Sequence, residues 1–214
     1  MSQLPSSESS CAQPTQSAQS SLAFADIFTS SLFAVIDFET TGLNPATDRI
    51  LQMAAVVVDI TGHVVDSFDT IVKPEQPSEY THGAEHVHGI STDDVDAGMP
   101  LGLAMRRLQD ISQSALFTAH NARFDLGFLH AELVRVGQSW NIDQYVDTLF
   151  LSRSLDPNKE HSHTLTHLID KYGIKRDTAH NALADAQATA QLLVALVAQA
   201  RQQQSQSASS ETSE

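Results

Sequence analysis

Two acidic residues stand close together in the segment AVIDFETTGL, at Asp37 and Glu39. They continue an apolar, β-branched run at 33–36, which predicts a buried strand. Because side chains alternate across a strand, both carboxylates point to the same side. Like charges held that close resist ionisation unless a cation neutralises them, and hard oxygen ligands suit Mg²⁺ or Mn²⁺. The pair therefore predicts a divalent metal site, with two solvated acids at a strand end as the alternative.

The residues directly after this strand, Thr40, Thr41, Gly42 and Leu43, supply hydroxyl groups and a glycine. Glycine lets the backbone approach a phosphate closely, and α/β sheets place ligands at the carboxyl ends of their strands. We expect a substrate-binding turn beside the metal site, and an ordinary tight turn is the alternative.

A third acidic residue, Asp125, lies where the apolar stretch at 115–117 gives way to a helical pattern of apolar residues at 126–133. The position predicts the first turn of a helix that follows a strand. The helix macrodipole also favours an acid in that turn, so Asp125 belongs to the metal site only if its partners converge on it.

Near the end of the chain, His180 and Asp185 are five residues apart. On a continuous helix that spacing is about 140° of rotation, so the two side chains cannot face one site if both are helical. We therefore expect His180 to precede a helix that carries Asp185. From a loop, an imidazole can reach a water molecule, and its near-neutral pKa suits a general base. A capping histidine beside a solvated aspartate is the alternative.

These segments match, in order, the motifs of a known family. DFETTGL resembles the first, AHNARFDLGFL the second and HNALADAQATAQLL the third motif of the DEDDh-type 3′-5′ exonucleases, the group that contains the proofreading epsilon subunit of bacterial DNA polymerase III. The likeness runs from about residue 33 to 197 and includes VHGIS at 87–91 and DTL at 147–149. The histidine five residues before the last aspartate marks the "h" variant.

The resemblance implies a catalytic site with two divalent ions, Mg²⁺ or Mn²⁺, and a nucleoside 5′-monophosphate as product. It implies that the ions are held by Asp37, Glu39, Asp125 and Asp185, and that His180 is the general base. Residues expected to bind the terminal nucleotide are Thr40, Thr41, Gly42, Leu43, His88, Asn121 and Phe124.

The fold implied by the resemblance is α/β and RNase H-like: a mixed β-sheet, an antiparallel meander followed by α/β units, flanked by helices. The residue pattern supports it independently. Segments 49–58 and 63–72 predict two further strands joined by a hairpin turn. A helix at 101–108, a strand at 115–118 and a helix to about residue 136 then alternate.

The length of 214 residues and the 41% hydrophobic content suffice for one domain. The Ser- and Gln-rich ends predict a disordered or tethering segment at 1–28 and a disordered tail at 201–214, which leaves an exonuclease domain at 29–200. No Lys or Arg precedes Arg49, which excludes an ordinary secretion signal, and no apolar run is long enough to span a bilayer. With Cys11 as the single cysteine, we expect a cytoplasmic protein without a disulfide.

The net charge of −14 is unusual for a protein that grips a polyanion. A metal-dependent exonuclease holds only a few nucleotides, and divalent ions add positive charge at the scissile phosphate. We therefore expect weak affinity for nucleic acid without metal. The available cations are Arg106, Arg107, Arg123, Arg153, Lys171, Lys175 and Arg176.

The function predicted from the sequence is a 3′-5′ exonuclease that acts on DNA 3′ ends, single-stranded or frayed, in proofreading or repair, with a DNA polymerase as a possible partner. The alternatives are an exoribonuclease of the same fold and a catalytically lapsed nucleic-acid-binding or scaffold protein. A lapsed site is expected to have lost one of its five residues, so the complete set favours the enzyme. A zinc site at the histidines of 82–88 or 161–167 is the disfavoured alternative. Zinc sites generally use four ligands, often including cysteine, and the only cysteine lies in the predicted disordered segment.

Overall fold

The structure is a computed structural model that describes residues 20–75, 81–83, 85–176 and 180–211. The strands within these ranges are β1 (Ser20–Ser21), β2 (Leu32–Thr40), β3 (Ile50–Asp59), β4 (Val64–Lys73), β5 (Met99–Pro100), β6 (Leu116–Ala119) and β7 (Gln144–Asp147). The helices are α1 (Phe24–Ile27), α2 (Glu85–His88), α3 (Thr92–Ala97), α4 (Leu101–Ser112), α5 (Ala122–Arg135), α6 (Thr148–Ser154), α7 (Leu165–Tyr172) and α8 (Ala182–Glu211).

The strands of the described ranges form one sheet in the order β1-β7-β6-β2-β3-β4-β5. β2, β3 and β4 make an antiparallel meander, while β6 runs parallel to β2 and β7 parallel to β6. This confirms the predicted mixed sheet with a meander followed by α/β units. Because β2, β6 and β7 are parallel, their carboxyl ends meet at one edge, where α/β folds place their ligands.

Both faces of the sheet are covered, and β2 shows which residues face which layer. Ala34, Ile36 and Phe38 pack in the cluster formed with α4 and α5. Phe33 and Val35 belong to the other cluster, which is formed with α8. Because the alternation has a period of two, Asp37 and Glu39 continue the α8 side of the strand.

α8 brings a row of small residues to the sheet. Ala182, Ala186 and Ala190 are buried against β2 and β3, and their short side chains allow the helix to lie close to the strands. Larger residues follow further along the helix, including Leu193 and Val197. No helix in the described part of the chain is long and apolar enough to cross a membrane.

The described helices and strands extend beyond residues 29 and 200, the predicted limits of the domain. Leu22 and Ile27 are 7% and 0% exposed, because they supply apolar surface to the α8 layer. At the other end, α8 continues to residue 211, and the guanidinium of Arg201 lies 5.0 Å from the ring centroid of Phe28. A helix that the core has already nucleated is easily prolonged by polar residues, which composition alone does not reveal. The remainder of the predicted terminal segments, with Cys11, lies outside the described residues.

Candidate active site

Three carboxylates meet at the carboxyl end of β2. One oxygen from each of Asp37, Glu39 and Asp185 lies within 4.8 Å of the other two. Asp37 and Glu39 are partly exposed on the strand, whereas Asp185 is 7% exposed in the first turn of α8. The strand alternation aims the first two at α8, and the close packing of that helix supplies the third.

Asp125 lies beside this cluster in the first turn of α5, with 3% of its surface exposed. The backbone N–H of Phe38 donates a hydrogen bond to its carboxylate, which ties α5 to β2 next to Asp37. Burial raises the pKa of Asp125 well above its ordinary value, and the charges of Asp147 and Glu39 add to the rise. Asp125 is thus electrostatically coupled to the three-oxygen cluster without being one of its three members.

The cluster resists full ionisation. Burial raises the pKa of Asp37 well above its ordinary value, and the neighbouring charges of Asp125, Asp185 and Glu39 raise it further. Burial and Asp185 raise the pKa of Glu39 to about 7. A divalent cation relieves such repulsion, and a donor set made only of carboxylate oxygens fits a hard ion. The residues present therefore fit a divalent metal ion.

One cationic side chain touches the cluster. Nη1 of Arg176 donates to Oδ1 of Asp185 at 2.9 Å, and the two side chains are 14% and 10% exposed. Nη2 of the same guanidinium lies 3.4 Å from Oγ1 of Thr166 on α7. Its charge lowers the pKa of Asp37 and so opposes the carboxylates around it. In the sequence, Arg176 is one cation among several, and no local spacing distinguishes it.

His180 lies just before α8, outside the helix, as its spacing from Asp185 requires. Its φ is +58°, in the left-handed region that residues with a side chain rarely adopt, and such strain concentrates at functional sites. Asn181 follows as the helix cap: its Oδ1 accepts the N–H of Ala184 and its carbonyl accepts the N–H of Asp185. The imidazole is exposed, so its assignment as general base remains a prediction.

Gln52 on β3 is a residue of the site that the motifs do not reveal. It stands opposite Glu39 in the β2–β3 pairing and is 4% exposed. Its Oε1 accepts the N–H of Ala182, the first residue of α8, and its Nε2 donates to Asp69 on β4. This amide fixes the start of α8 against the sheet and thereby sets the position of Asp185. The only sequence signal is a polar residue inside an otherwise apolar strand.

The predicted substrate turn after β2 is closely hydrogen-bonded. The N–H of Thr41 donates to the carbonyl of Arg49, and the N–H of Arg49 donates back to Thr41 Oγ1. Thr40 Oγ1 donates to the Gly42 carbonyl at 2.7 Å. Both hydroxyl groups thus make a hydrogen bond inside the turn, whereas the side chain of Leu43 is 83% exposed.

Two arginines and a buried glutamate hold the loop behind this turn. Glu132 on α5 is fully buried. Its Oε1 accepts a hydrogen bond from the Ile50 N–H at 3.1 Å and forms an ion pair with Nη1 of Arg135, also at 3.1 Å. Arg49 and Arg135 donate to four consecutive backbone carbonyls, those of Pro45, Ala46, Thr47 and Asp48. The loop is therefore fixed from the protein side before any substrate arrives.

The segment that carries His88 packs against the same turn. Gly83 has φ +84° and lies so close to the Thr41 carbonyl that no side chain fits there. His88 is 7% exposed, its Nδ1 accepts the Ile90 N–H, and its ring contacts that of His82 at a centroid distance of 5.5 Å. The rings of His82 and His88 are thus used in local contacts. Among the described residues, Asp37, Glu39 and Asp185 are the one group of three potential metal ligands that lie close enough together to hold an ion.

The remaining predicted substrate residues flank the start of α5. Asn121 has φ +66° and donates its N–H to Oδ1 of Asp147. Phe124 is partly buried, with its ring centroid 4.9 Å from that of Phe128. Their contact with a nucleotide stays a prediction.

Residues 34–193 match the model of the exonuclease family. The DNA polymerase III PolC-type protein of Thermotoga petrophila is 32% identical over 177 residues, 82% of this chain. The protein of the same name from Listeria welshimeri is 34% identical over 170 residues, 79% of the chain. The chain spans about 12% of the length of each of these relatives.

Two solved structures share the fold. Exonuclease I of E. coli in complex with a dT13 oligonucleotide has a TM-score of 0.64 and 26% identity, and the match covers 78% of this chain and 41% of that one. The nuclease domain of 3′hExo, a DEDDh family member bound to rAMP, has a TM-score of 0.69 and 17% identity and covers 79% of this chain and 92% of that one. The second likeness shows the fold alone.

Proposed function

We propose that this chain, which belongs to the exonuclease family, is a DEDDh-type 3′-5′ exonuclease that removes nucleotides from single-stranded or frayed 3′ ends of DNA, in proofreading or repair. The observation that carries this proposal is the convergence of Asp37, Glu39 and Asp185 within 4.8 Å, with Asp125 electrostatically coupled beside them. Residues so far apart in sequence have no structural need to share one small, self-repelling cluster.

Asp37, Glu39 and Asp185 would hold a divalent cation, Mg²⁺ or Mn²⁺, and Asp125 would help to place a second. When bound, such ions neutralise the phosphate and lower the pKa of an attacking water. His180 takes the proton from that water as its oxygen forms the new bond to phosphorus. The P–O3′ bond breaks, the shortened strand keeps its 3′ oxygen, and a nucleoside 5′-monophosphate leaves.

The turn after β2 and the segment of His88 would hold the terminal nucleotide. Leu43, exposed in the turn that follows the strand of Asp37 and Glu39, offers an apolar surface on which a terminal base can pack. The turn is rigid because its backbone is hydrogen-bonded to Arg49 and its loop is held by Arg135. Phe124 and Asn121 would contact the same nucleotide from the α5 side.

DNA is the favoured substrate because the relatives at above 30% identity are DNA polymerases by name and the exonuclease I structure holds a DNA oligonucleotide. The same relatives support a DNA polymerase as partner. An exoribonuclease is the second candidate, because the 3′hExo structure holds a ribonucleotide on the same fold.

The test is digestion of three substrates of one sequence, a single-stranded DNA, a DNA duplex with a mismatched 3′ end and an RNA, each with Mg²⁺ or Mn²⁺. We expect single-stranded DNA to be shortened fastest and Asp185→Asn to abolish turnover. Asp170→Asn, at an exposed position on α7, is the matched control. A fully active Asp185→Asn variant would remove the site assignment, and faster digestion of RNA would replace DNA by RNA as the substrate.

A further inference from the structure

The carboxylate cluster contains its own counter-ion. Arg176 pairs with Asp185 at 2.9 Å while both side chains are largely buried, so the interaction is weakly screened by solvent. The same charge acts on Asp37, whose pKa it lowers. The contact with Thr166 holds the guanidinium from the α7 side.

Arginine differs from the other charged groups of the cluster in one respect. Its guanidinium keeps its proton at every accessible pH, whereas a carboxylate can relieve repulsion by taking up a proton. The cluster therefore carries a permanent positive charge next to the oxygens that would bind a divalent ion. The carboxylate of Asp185 has two roles that oppose each other: it forms the ion pair with Arg176, and it is one of the three potential metal ligands.

We propose that Arg176 is the resident counter-ion of the carboxylate cluster and competes with the divalent cation for Asp185. The proposal rests on the metal site of the proposed function. In the metal-free protein, Arg176 compensates the buried charge of Asp185, which would otherwise be costly. In the metal-bound protein, the guanidinium repels a dication at short range. Arg176 thus weakens metal binding in exchange for a stable cluster before the metal binds.

The two effects have opposite signs, which makes the proposal testable by Mn²⁺ affinity, without an activity measurement. Removing one positive charge next to a dication is expected to tighten Mn²⁺ binding by about tenfold or more. The same change is expected to destabilise the metal-free protein. A purely structural role for Arg176 would instead weaken metal binding, because the site would lose its shape.

The experiment is calorimetric titration of the full chain with Mn²⁺, using wild type, Arg176→Gln and Arg176→Lys. Arg176→Met, which keeps much of the apolar stem, replaces the Gln variant if that variant does not fold. Lys175→Gln is the matched control, because it removes the same net charge from the exposed neighbour. We expect Arg176→Gln to bind Mn²⁺ at least about tenfold more tightly, while Arg176→Lys and Lys175→Gln stay within about threefold of wild type.

Equal or weaker binding by the neutral variants overturns the proposal, and so does equal tightening by Lys175→Gln, which would reflect net charge alone. Asp37→Asn tests the metal site separately from the competition by Arg176. It should lose Mn²⁺ binding whether or not Arg176 competes for Asp185. If neither wild type nor Arg176→Gln binds Mn²⁺, the metal site of the proposed function fails together with the competition. If only Arg176→Gln binds, the competition is supported.

Discussion

The raised pKa of Glu39 predicts that the metal-free protein loses stability as the pH rises. Burial and Asp185 raise this pKa from 4.5 to about 7. Between these values the folded protein binds more protons at Glu39 than the unfolded chain does, so the free energy of unfolding falls with increasing pH. Below about pH 4.5 Glu39 is protonated in both states and contributes nothing; above pH 7 the full penalty applies.

The size of the penalty follows from the pKa values. Each pKa unit corresponds to about 1.36 kcal/mol, so the difference between the pKa of Glu39 in the folded protein and its ordinary value corresponds to about 3 kcal/mol. Glu39 is partly exposed on β2, and screening by solvent reduces this to about 2 kcal/mol. Glu39→Gln has nearly the same shape and cannot ionise. It should therefore stabilise the metal-free protein by about 2 kcal/mol at pH 8 and leave it unchanged near pH 4.

The assay is urea unfolding in EDTA across pH 4 to 8.5, comparing wild type, Glu39→Gln and the exposed control Glu75→Gln. Asp37 and Asp125 also have raised pKa values, and the charge of Glu39 contributes to both. The difference between wild type and Glu39→Gln therefore contains the titration of Glu39 together with its repulsion of these two groups, and both fall with the charge of Glu39. A difference that stays constant with pH, or that favours wild type at high pH, would refute the reasoning. With Mn²⁺ in place of EDTA, free Mn²⁺ at about 100 times its Kd should add about 2.7 kcal/mol to wild type.

Three further substitutions separate the roles of the surrounding residues. His180→Ala should lower kcat by about 100-fold with unchanged Mn²⁺ affinity, because the imidazole moves a proton and holds no metal; a parallel loss in a Mn²⁺ titration would contradict this. Leu43→Ala should raise KM for single-stranded DNA several-fold at nearly constant kcat, as steady-state kinetics would show, and an unchanged KM would exclude the packing contact. Arg135→Ala leaves the buried Glu132 with the Ile50 N–H but without its ionic partner and should cost about 3 kcal/mol in urea unfolding, and a loss below about 1 kcal/mol would show that the pair is dispensable.

The sequence by itself determined the features that depend on local periodicity. The alternation along β2 sets Asp37 and Glu39 on one side of the strand, and the structure has them there, facing α8. The spacing of His180 and Asp185 excludes a common helical face, and His180 indeed precedes α8. Covalent geometry repeats every two residues in a strand and about every 3.6 in a helix, so these relations need no knowledge of distant neighbours.

Only the tertiary structure decided which distant groups meet. Gln52 and Arg176 belong to none of the motifs, yet one fixes the start of α8 and the other neutralises Asp185. The sequence assigns the segment of Leu22 and Ile27 to a terminal tail because it follows a Ser- and Gln-rich stretch, but it supplies part of the core. Such contacts join elements that are far apart in the chain, and their distances are set by how closely the small residues of α8 let it approach the sheet, which no local spacing encodes.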